Sequence, residues 1–209
     1  MTPAKINRFY QKLSSEHAEA KSELLFNNNF ELLIAVLLSA QSTDKVVNKV
    51  TPELFSLCSG PSEILELGQT KLAKIIKPIG LAPAKSKNII NTCKIILENH
   101  HGKIPETREE LEKLPGVGRK TANVVLNIGF GEPTIAVDTH VFRVSNRTGL
   151  AIGKTVLETE LKLLKVTPKK WLKNAHHYLI LHGRYTCKAK NFDCKNCIVE
   201  KECAFPDKN

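Results

Sequence analysis

Four cysteines within the last 23 residues constrain this chain most. Cys187, Cys194, Cys197 and Cys203 are spaced C-x6-C-x2-C-x5-C. Thiols this close suit a single metal centre that staples a small C-terminal lobe. Zinc sites usually show two close C-x2–4-C pairs. Here one C-x2-C is flanked by gaps of six and five, and the pattern also departs from common ferredoxin spacings. The spacing therefore gives a four-thiolate site and leaves the metal open. Cys58 and Cys93 stand among Leu57, Ile95 and Ile96 and read as buried thiols.

Helical signals dominate the rest. Pro3, Pro52, Pro61, Pro83 and Pro168 each precede a helix-like stretch and suit its first turn. Thr2, Thr51 and Thr167 stand where N-caps would, and Thr107-Arg108-Glu109-Glu110 reads as a capping box. Phe30 to Ser39 is apolar almost all round, which predicts a central buried helix. From Pro83 to Asn99, Ile89, Ile90, Cys93, Ile96 and Leu97 recur at three-to-four spacing as a buried stripe. The best strand candidate, Thr134-Ile135-Ala136-Val137, lies between Pro133 and Asp138 and predicts a short extended connector. An all-α fold follows. Gly129 to Pro133 is the best break between domains.

The chain has 209 residues, 42% of them hydrophobic, and a formal net charge of +10. A basic surplus of this kind favours a polyanionic partner, nucleic acid being the commonest. The surplus is uneven: residues 133–209 hold 14 Lys/Arg against 7 Asp/Glu, and residues 1–132 hold 17 against 14. The first residues have no apolar signal core, and the longest apolar run, Leu32 to Leu38, is far too short to span a bilayer. The expectation is a cytoplasmic, nucleoid-associated protein with reduced thiols and no membrane partner. Nothing marks an oligomer interface, so a monomer is expected.

Two segments carry chemistry. In the first, Leu111 and Leu114 close a short helix, Pro115-Gly116-Val117-Gly118 turns the chain, and a second helix runs from about Arg119 to Ile128. Such a glycine turn can aim N–H groups at phosphate, aided by the helix dipole, because no Cβ holds the phosphate off. Lys120 lies in the first turn of a helix that reads as mostly buried. Partial desolvation and the positive end of the dipole would both favour the neutral amine. An unperturbed lysine is only about one part in a thousand neutral near pH 7.4, so a drop of about two units multiplies the reactive fraction roughly a hundredfold. Position alone equally allows a phosphate-binding lysine. In the second segment, Asp138 follows Ile135-Ala136-Val137 and precedes the helix-like Thr139 to Arg147. It reads as an N-cap, a role compatible with an ionised carboxylate that stabilises positive charge or accepts a proton. His140 reads either as structural or as a DNA contact. Around the cysteines, Lys188, Lys190, Lys195 and Lys201 could track phosphates.

Taken together, these segments resemble the endonuclease III branch of the helix-hairpin-helix DNA glycosylases over nearly the whole chain. The matching residues are Leu38-Ser39-Ala40-Gln41-Ser42-Thr43-Asp44, Leu114-Pro115-Gly116-Val117-Gly118-Arg119-Lys120-Thr121-Ala122, Val137-Asp138-Thr139-His140-Val141 and the four-cysteine loop. The resemblance implies two helical domains. One is a barrel over residues 22–132 with its helix-hairpin-helix at about 107–128. The other joins residues 1–21 to 133–209 and carries one [4Fe-4S] cluster on Cys187, Cys194, Cys197 and Cys203. The partner it implies is double-stranded DNA bearing damaged pyrimidines or abasic sites. Lys120 would attack C1′ of an oxidised pyrimidine nucleotide and form a Schiff base, and β-elimination would cut the strand; Asp138 would assist. Gln41 would fill the space left by the flipped base and Leu81 would wedge the opposite strand, with Ile79 nearby. Gly116, Val117, Gly118, Arg119, His140 and Lys190 would contact DNA. Three other readings compete: a monofunctional adenine-mismatch glycosylase, a non-catalytic DNA-binding protein and an iron-sulfur redox protein. The first lacks a lysine at the position of Lys120; the other two do not explain why Lys120 and Asp138 accompany the hairpin.

Overall fold

The computed structural model describes residues 1–208. In chain order the helices are α1 (Pro3–Glu16), α2 (Asn29–Ser39), α3 (Asp44–Leu57), α4 (Pro61–Ile75), α5 (Ala82–His100), α6 (Arg108–Leu111), α7 (Arg119–Phe130), α8 (Thr139–Thr148), α9 (Val156–Val166) and α10 (Lys169–Tyr185). A 3-10 turn, Lys77–Ile79, joins α4 to α5. Among the described residues no strand forms, and no helix is long and apolar enough to cross a membrane. The chain divides into two compact units, residues 22–130 and residues 1–21 with 131–209.

In the unit of residues 22–130, α2 is the core. Every residue from Phe30 to Leu38 is buried, as an all-round apolar helix requires. Its entry is fixed by polar groups: the Asn28 side chain accepts from the Glu31 N–H (2.9 Å), and the Glu31 carboxylate accepts from the Asn27 N–H (2.7 Å). Helices α3, α5 and α7 pack around it. On α5 the innermost positions are Ile89, Cys93 and Ile96, with Ile90 and Leu97 half-buried at the margin.

Two sequence expectations about caps fail here and one fails in the other unit. Pro52 lies inside α3, not at a helix start. Proline removes one backbone donor from a helix interior but its fixed φ remains helical, so packing can override the break. That packing is visible in Thr51, which is buried with Val47, Val50 and Leu54 and caps nothing. The N-cap of α3 is Thr43, whose hydroxyl accepts from the Val46 N–H. Thr167 ends α9; its hydroxyl is paired with the Tyr10 hydroxyl at 2.9 Å, a bond between residues too distant in sequence to be foreseen. Thr2 and Thr107 do cap α1 and α6, and Pro3, Pro61 and Pro83 do sit in first turns.

The unit of residues 1–21 and 131–209 closes on Phe9, Tyr10, Leu13, Ile135, Val137, Val141, Val144, Leu163 and Leu179, with Cys187 and Cys197 packed at its edge. Thr134 to Val137 is an extended connector whose Ile135, Ala136 and Val137 are buried. Helices α8 and α10 cross closely at Gly183, where a Cβ would stand 2.9 Å from His140 Cβ and 3.0 Å from Val144. Beyond α10 the described residues run through turns and bends without a further helix.

Candidate active site and metal centre

The glycine turn is anchored on one side and open on the other. Gly116 has φ +83°, a value that side chains rarely adopt, and a Cβ there would lie 2.9 Å from Asn88 Nδ2 and 3.3 Å from Leu37. The Pro115 carbonyl accepts from the Thr92 hydroxyl (3.2 Å), and Val117 is buried beneath the turn. Gly118 faces open space. The turn thus presents Gly118 and the start of α7 outward while α5 holds its back. Lys120, in the first turn of α7, is exposed. This corrects the expectation of partial burial. The buried face of α7 begins at Ala122 and runs through Asn127, with Asn123 bonded to Arg108 (2.9 Å), and Lys120 precedes it. Arg119 is half-buried.

A cleft in the same unit is lined by Leu37, Gln41, Leu81, Lys85, Asn88 and Gly116. It brings the bend that follows α2, the residue before α5 and the glycine turn to one place. Gln41 (φ +56°) and Leu81 (φ +52°) both hold left-handed backbone, and both are exposed, Leu81 to 56%. Positive φ in non-glycine residues costs free energy and concentrates at functional sites. Ile79 is different: the 3-10 turn directs it inward, where it is 4% exposed and packs in the core. Sequence reasoning missed Lys85. It is 8% exposed, its Nζ donates to the Leu38 carbonyl at 2.9 Å, and burial pushes its pKa down. It satisfies an orphan carbonyl at the end of α2 and so fixes the bend that carries Gln41. The signal available was a lysine four residues before Ile89, on the stripe.

In the other unit Asp138 is the N-cap of α8: its Oδ1 accepts from the Val141 N–H at 2.8 Å. The second oxygen is left to other partners, and the residue is half-exposed. His140 is half-buried, with Nδ1 3.2 Å from the Arg143 guanidinium. Arg143 in turn donates to the Gly183 and Cys187 carbonyls (2.7 and 3.0 Å), tying α8 to the start of the cysteine loop.

The four loop cysteines line a single pocket with Arg147, His182, Phe192, Val199 and Phe205, and none forms a disulfide. The setting suits bound thiolates. Arg147 donates toward Cys187 Sγ (3.5 Å), the Phe205 N–H donates to Cys203 Sγ (3.4 Å), and His182 Nε2 lies 3.8 Å from Cys197 Sγ. Arg147 also donates to the Lys188 carbonyl (2.6 Å) and stacks on Phe192, 4.3 Å from its centroid. Burial, and then the neighbouring thiols, push Cys197 up to about 11 and Cys203 upward. Ionising four thiols in this apolar pocket would require a cationic partner, and a metal ion or cluster is the kind of group that supplies one. Lys190 is exposed on the loop.

Comparison with known proteins decides the family. Residues 34–169 match the model of the HhH-GPD superfamily of base excision DNA repair proteins. Endonuclease III of Escherichia coli K12 is 53% identical, covering 100% of this chain and 99% of the relative. The chain belongs to the endonuclease III family. Endonuclease III of Haemophilus influenzae is 55% identical over 94% of this chain and 93% of its own length. A solved structure of a trapped endonuclease III–DNA covalent intermediate superimposes with a TM-score of 0.91 at 43% identity, covering 98% of this chain and 96% of that one. A thermostable thymine-DNA glycosylase shares the fold, with a TM-score of 0.86 at 22% identity over 97% of this chain and 96% of the other. The endonuclease III fold therefore spans both units of the chain.

Proposed function

We propose that this chain is a bifunctional base-excision enzyme: it removes oxidised pyrimidines from double-stranded DNA and cuts the strand at the resulting abasic site. The exposed amine of Lys120 carries this reading. It stands in the first turn of α7, two residues beyond a glycine whose Cβ position is open, in a chain of the endonuclease III family. Covalent chemistry is supported by the trapped endonuclease III–DNA intermediate of a relative.

The neutral Lys120 amine attacks C1′ of the damaged nucleotide, and the N-glycosidic bond breaks with its electron pair leaving on the base. Ring opening yields a protonated Schiff base between Nζ and C1′. This iminium is the electron sink for removal of a C2′ proton, after which the 3′ phosphate departs and the strand is cut 3′ to the lesion. The Asp138 carboxylate, held as the cap of α8, stabilises positive charge on the sugar. Because Lys120 is exposed in the protein alone, bound DNA is what excludes water from it. Phosphates rest on the N–H groups of Gly116, Gly118 and Arg119 at the start of α7, while the Val117 N–H is held by the Leu114 carbonyl (3.0 Å) and braces the turn. Gln41 and Leu81 enter the duplex, and their cleft is held in shape by Lys85 and buried Ile79; His140 contacts DNA beside α8.

Cys187, Cys194, Cys197 and Cys203 would hold a [4Fe-4S] cluster, which when bound supplies the bonds that pin the loop. Exposed Lys190 and its neighbours Lys188, Lys195 and Lys201 then lie along a fixed segment that can follow the phosphate backbone.

Borohydride reduction in the presence of duplex DNA with one abasic site tests the chemistry. A covalent adduct is expected with the native chain and none with Lys120→Ala, while the variant's DNA affinity stays within a few-fold of native. An adduct of undiminished yield from Lys120→Ala contradicts the assignment.

A further inference from the structure

Three side chains gather at the junction of α1 and α10 that no step of the reaction uses. Glu16 ends α1, His17 follows it, and His182 lies in the last turn of α10. Glu16 Oε2 is 3.3 Å from His17 Nε2 and 3.7 Å from His182 Nδ1, and the three atoms all lie within 4.8 Å of one another. A tetrahedral zinc ion with bonds of about 2.0–2.1 Å to nitrogen and oxygen has ligand-to-ligand edges of about 3.3–3.4 Å. Two edges are already near that size.

The donors are also left wanting a partner. His182 is fully buried, at 0% exposure, and its Nδ1 makes no hydrogen bond; neither does His17 Nε2. His182 Nε2 faces Cys197 Sγ at 3.8 Å. On the other side of the ring, His182 Nδ1 faces the Glu16 carboxylate. A fully buried ring nitrogen without a hydrogen bond is costly, and a cation shared with the carboxylate would satisfy it. Burial holds the pKa of His17 below its ordinary value, which keeps that ring neutral and able to ligate near pH 7. An open cleft lined by Ser15, Glu16, His17, Ala20 and Leu181 gives an entry path and room for a water as the fourth ligand.

We propose that Glu16, His17 and His182 form a site for one divalent transition-metal ion of the zinc class, distinct from the four-cysteine centre and joined to it through the His182 ring. Two imidazoles and one carboxylate suit zinc far better than calcium or magnesium, which take oxygen ligands. The ion would clamp the end of α1 to the end of α10.

Calorimetric titration of chelator-washed, cluster-containing protein with Zn²⁺ tests the site, with visible absorption recorded alongside as an independent report on the cysteine centre. One equivalent of Zn²⁺ should bind with the visible spectrum unchanged. Glu16→Gln and His17→Ala should each weaken binding by about 10–100-fold or more, since loss of outer partners alone costs that much. Both substitutions lie at an exposed helix end, so two independent variants guard against misfolding. Absence of Zn²⁺ uptake by the native chain, or equal uptake by both variants, would overturn the proposal; His182 Nδ1 would then carry a proton toward Glu16 instead.

Discussion

Residues 22–130 and the cysteine loop after α10 position their functional groups by opposite means. In the first, the groups that would meet DNA stand at helix ends, and those ends are set by apolar packing: nine successive buried residues on α2, and the Gly116 turn backed by Asn88 and Leu37. In the second there is no helix after Tyr185 among the described residues; the chain is held by Arg147 and Arg143, and four thiols gather around one pocket. A packed scaffold places a group by exclusion, and errors in it are graded. A ligand-stapled loop places a group by a few strong bonds, and errors in it are all-or-none.

The largest effect is expected in the loop. Cys197→Ser should abolish visible absorption and expose residues 187–208 to limited proteolysis, with cleavages mapped by mass spectrometry confined there while residues 22–130 stay protected. Uniform cleavage along the chain would erase the contrast. Next comes the packed unit: Leu33→Ala should cost about 2–5 kcal/mol, read from denaturant midpoints, because Leu33 is fully buried on α2. Visible absorption should survive at temperatures where that variant remains folded.

Asp138 allows the cap and the chemistry to be separated. Asparagine caps helices as well as aspartate, so Asp138→Asn should change stability by only a few tenths of a kcal/mol. Its excision rate should nevertheless fall by about 10²–10⁴-fold, as expected when a carboxylate acts in proton transfer or charge stabilisation. Asp138→Ala should lose the same activity and a further ~1 kcal/mol of stability. Equal activity of the asparagine variant and the native chain would leave Asp138 a cap only.

The smallest effect is a pH dependence in the unit of α8 and α10. Burial holds His177 below its ordinary value of 6.5, and neither ring nitrogen has a hydrogen-bond partner. The unfolded chain therefore binds a proton more readily than the folded one. The stability due to the neutral ring is full above about pH 6.5 and is lost as pH falls below it. His177→Gln should flatten the decline in melting temperature between pH 6.5 and acid values relative to the native chain; an unchanged slope would show that other groups set it.

Sequence carried the fold where the signal was local or repeated. The all-round apolar run of α2, the Thr2 and Thr107 caps, the glycine turn and the Asp138 cap each declare themselves within a few residues. What sequence misjudged depended on distant partners. Pro52 looks like a helix start until the burial of Thr51 and Leu54 carries α3 through it. Thr167 looks like an N-cap until Tyr10 takes its hydroxyl. Lys85 looks like a surface charge until the free carbonyl of Leu38 is found beside it. Ile79 and Leu81, two residues apart on the same turn, point opposite ways for a reason only the 3-10 geometry shows. The four cysteines were legible as a set, but the donors around them, Arg147, His182 and the Phe205 N–H, were not, because they come from three separate segments.

The most direct test of the account is single-turnover strand cleavage of a duplex carrying one oxidised pyrimidine. The account predicts that Lys120→Ala, at protein concentrations that saturate the DNA, cuts at least about 10³-fold more slowly than the native chain, as loss of a nucleophile commonly costs. Cleavage by Lys120→Ala at the native rate would contradict it.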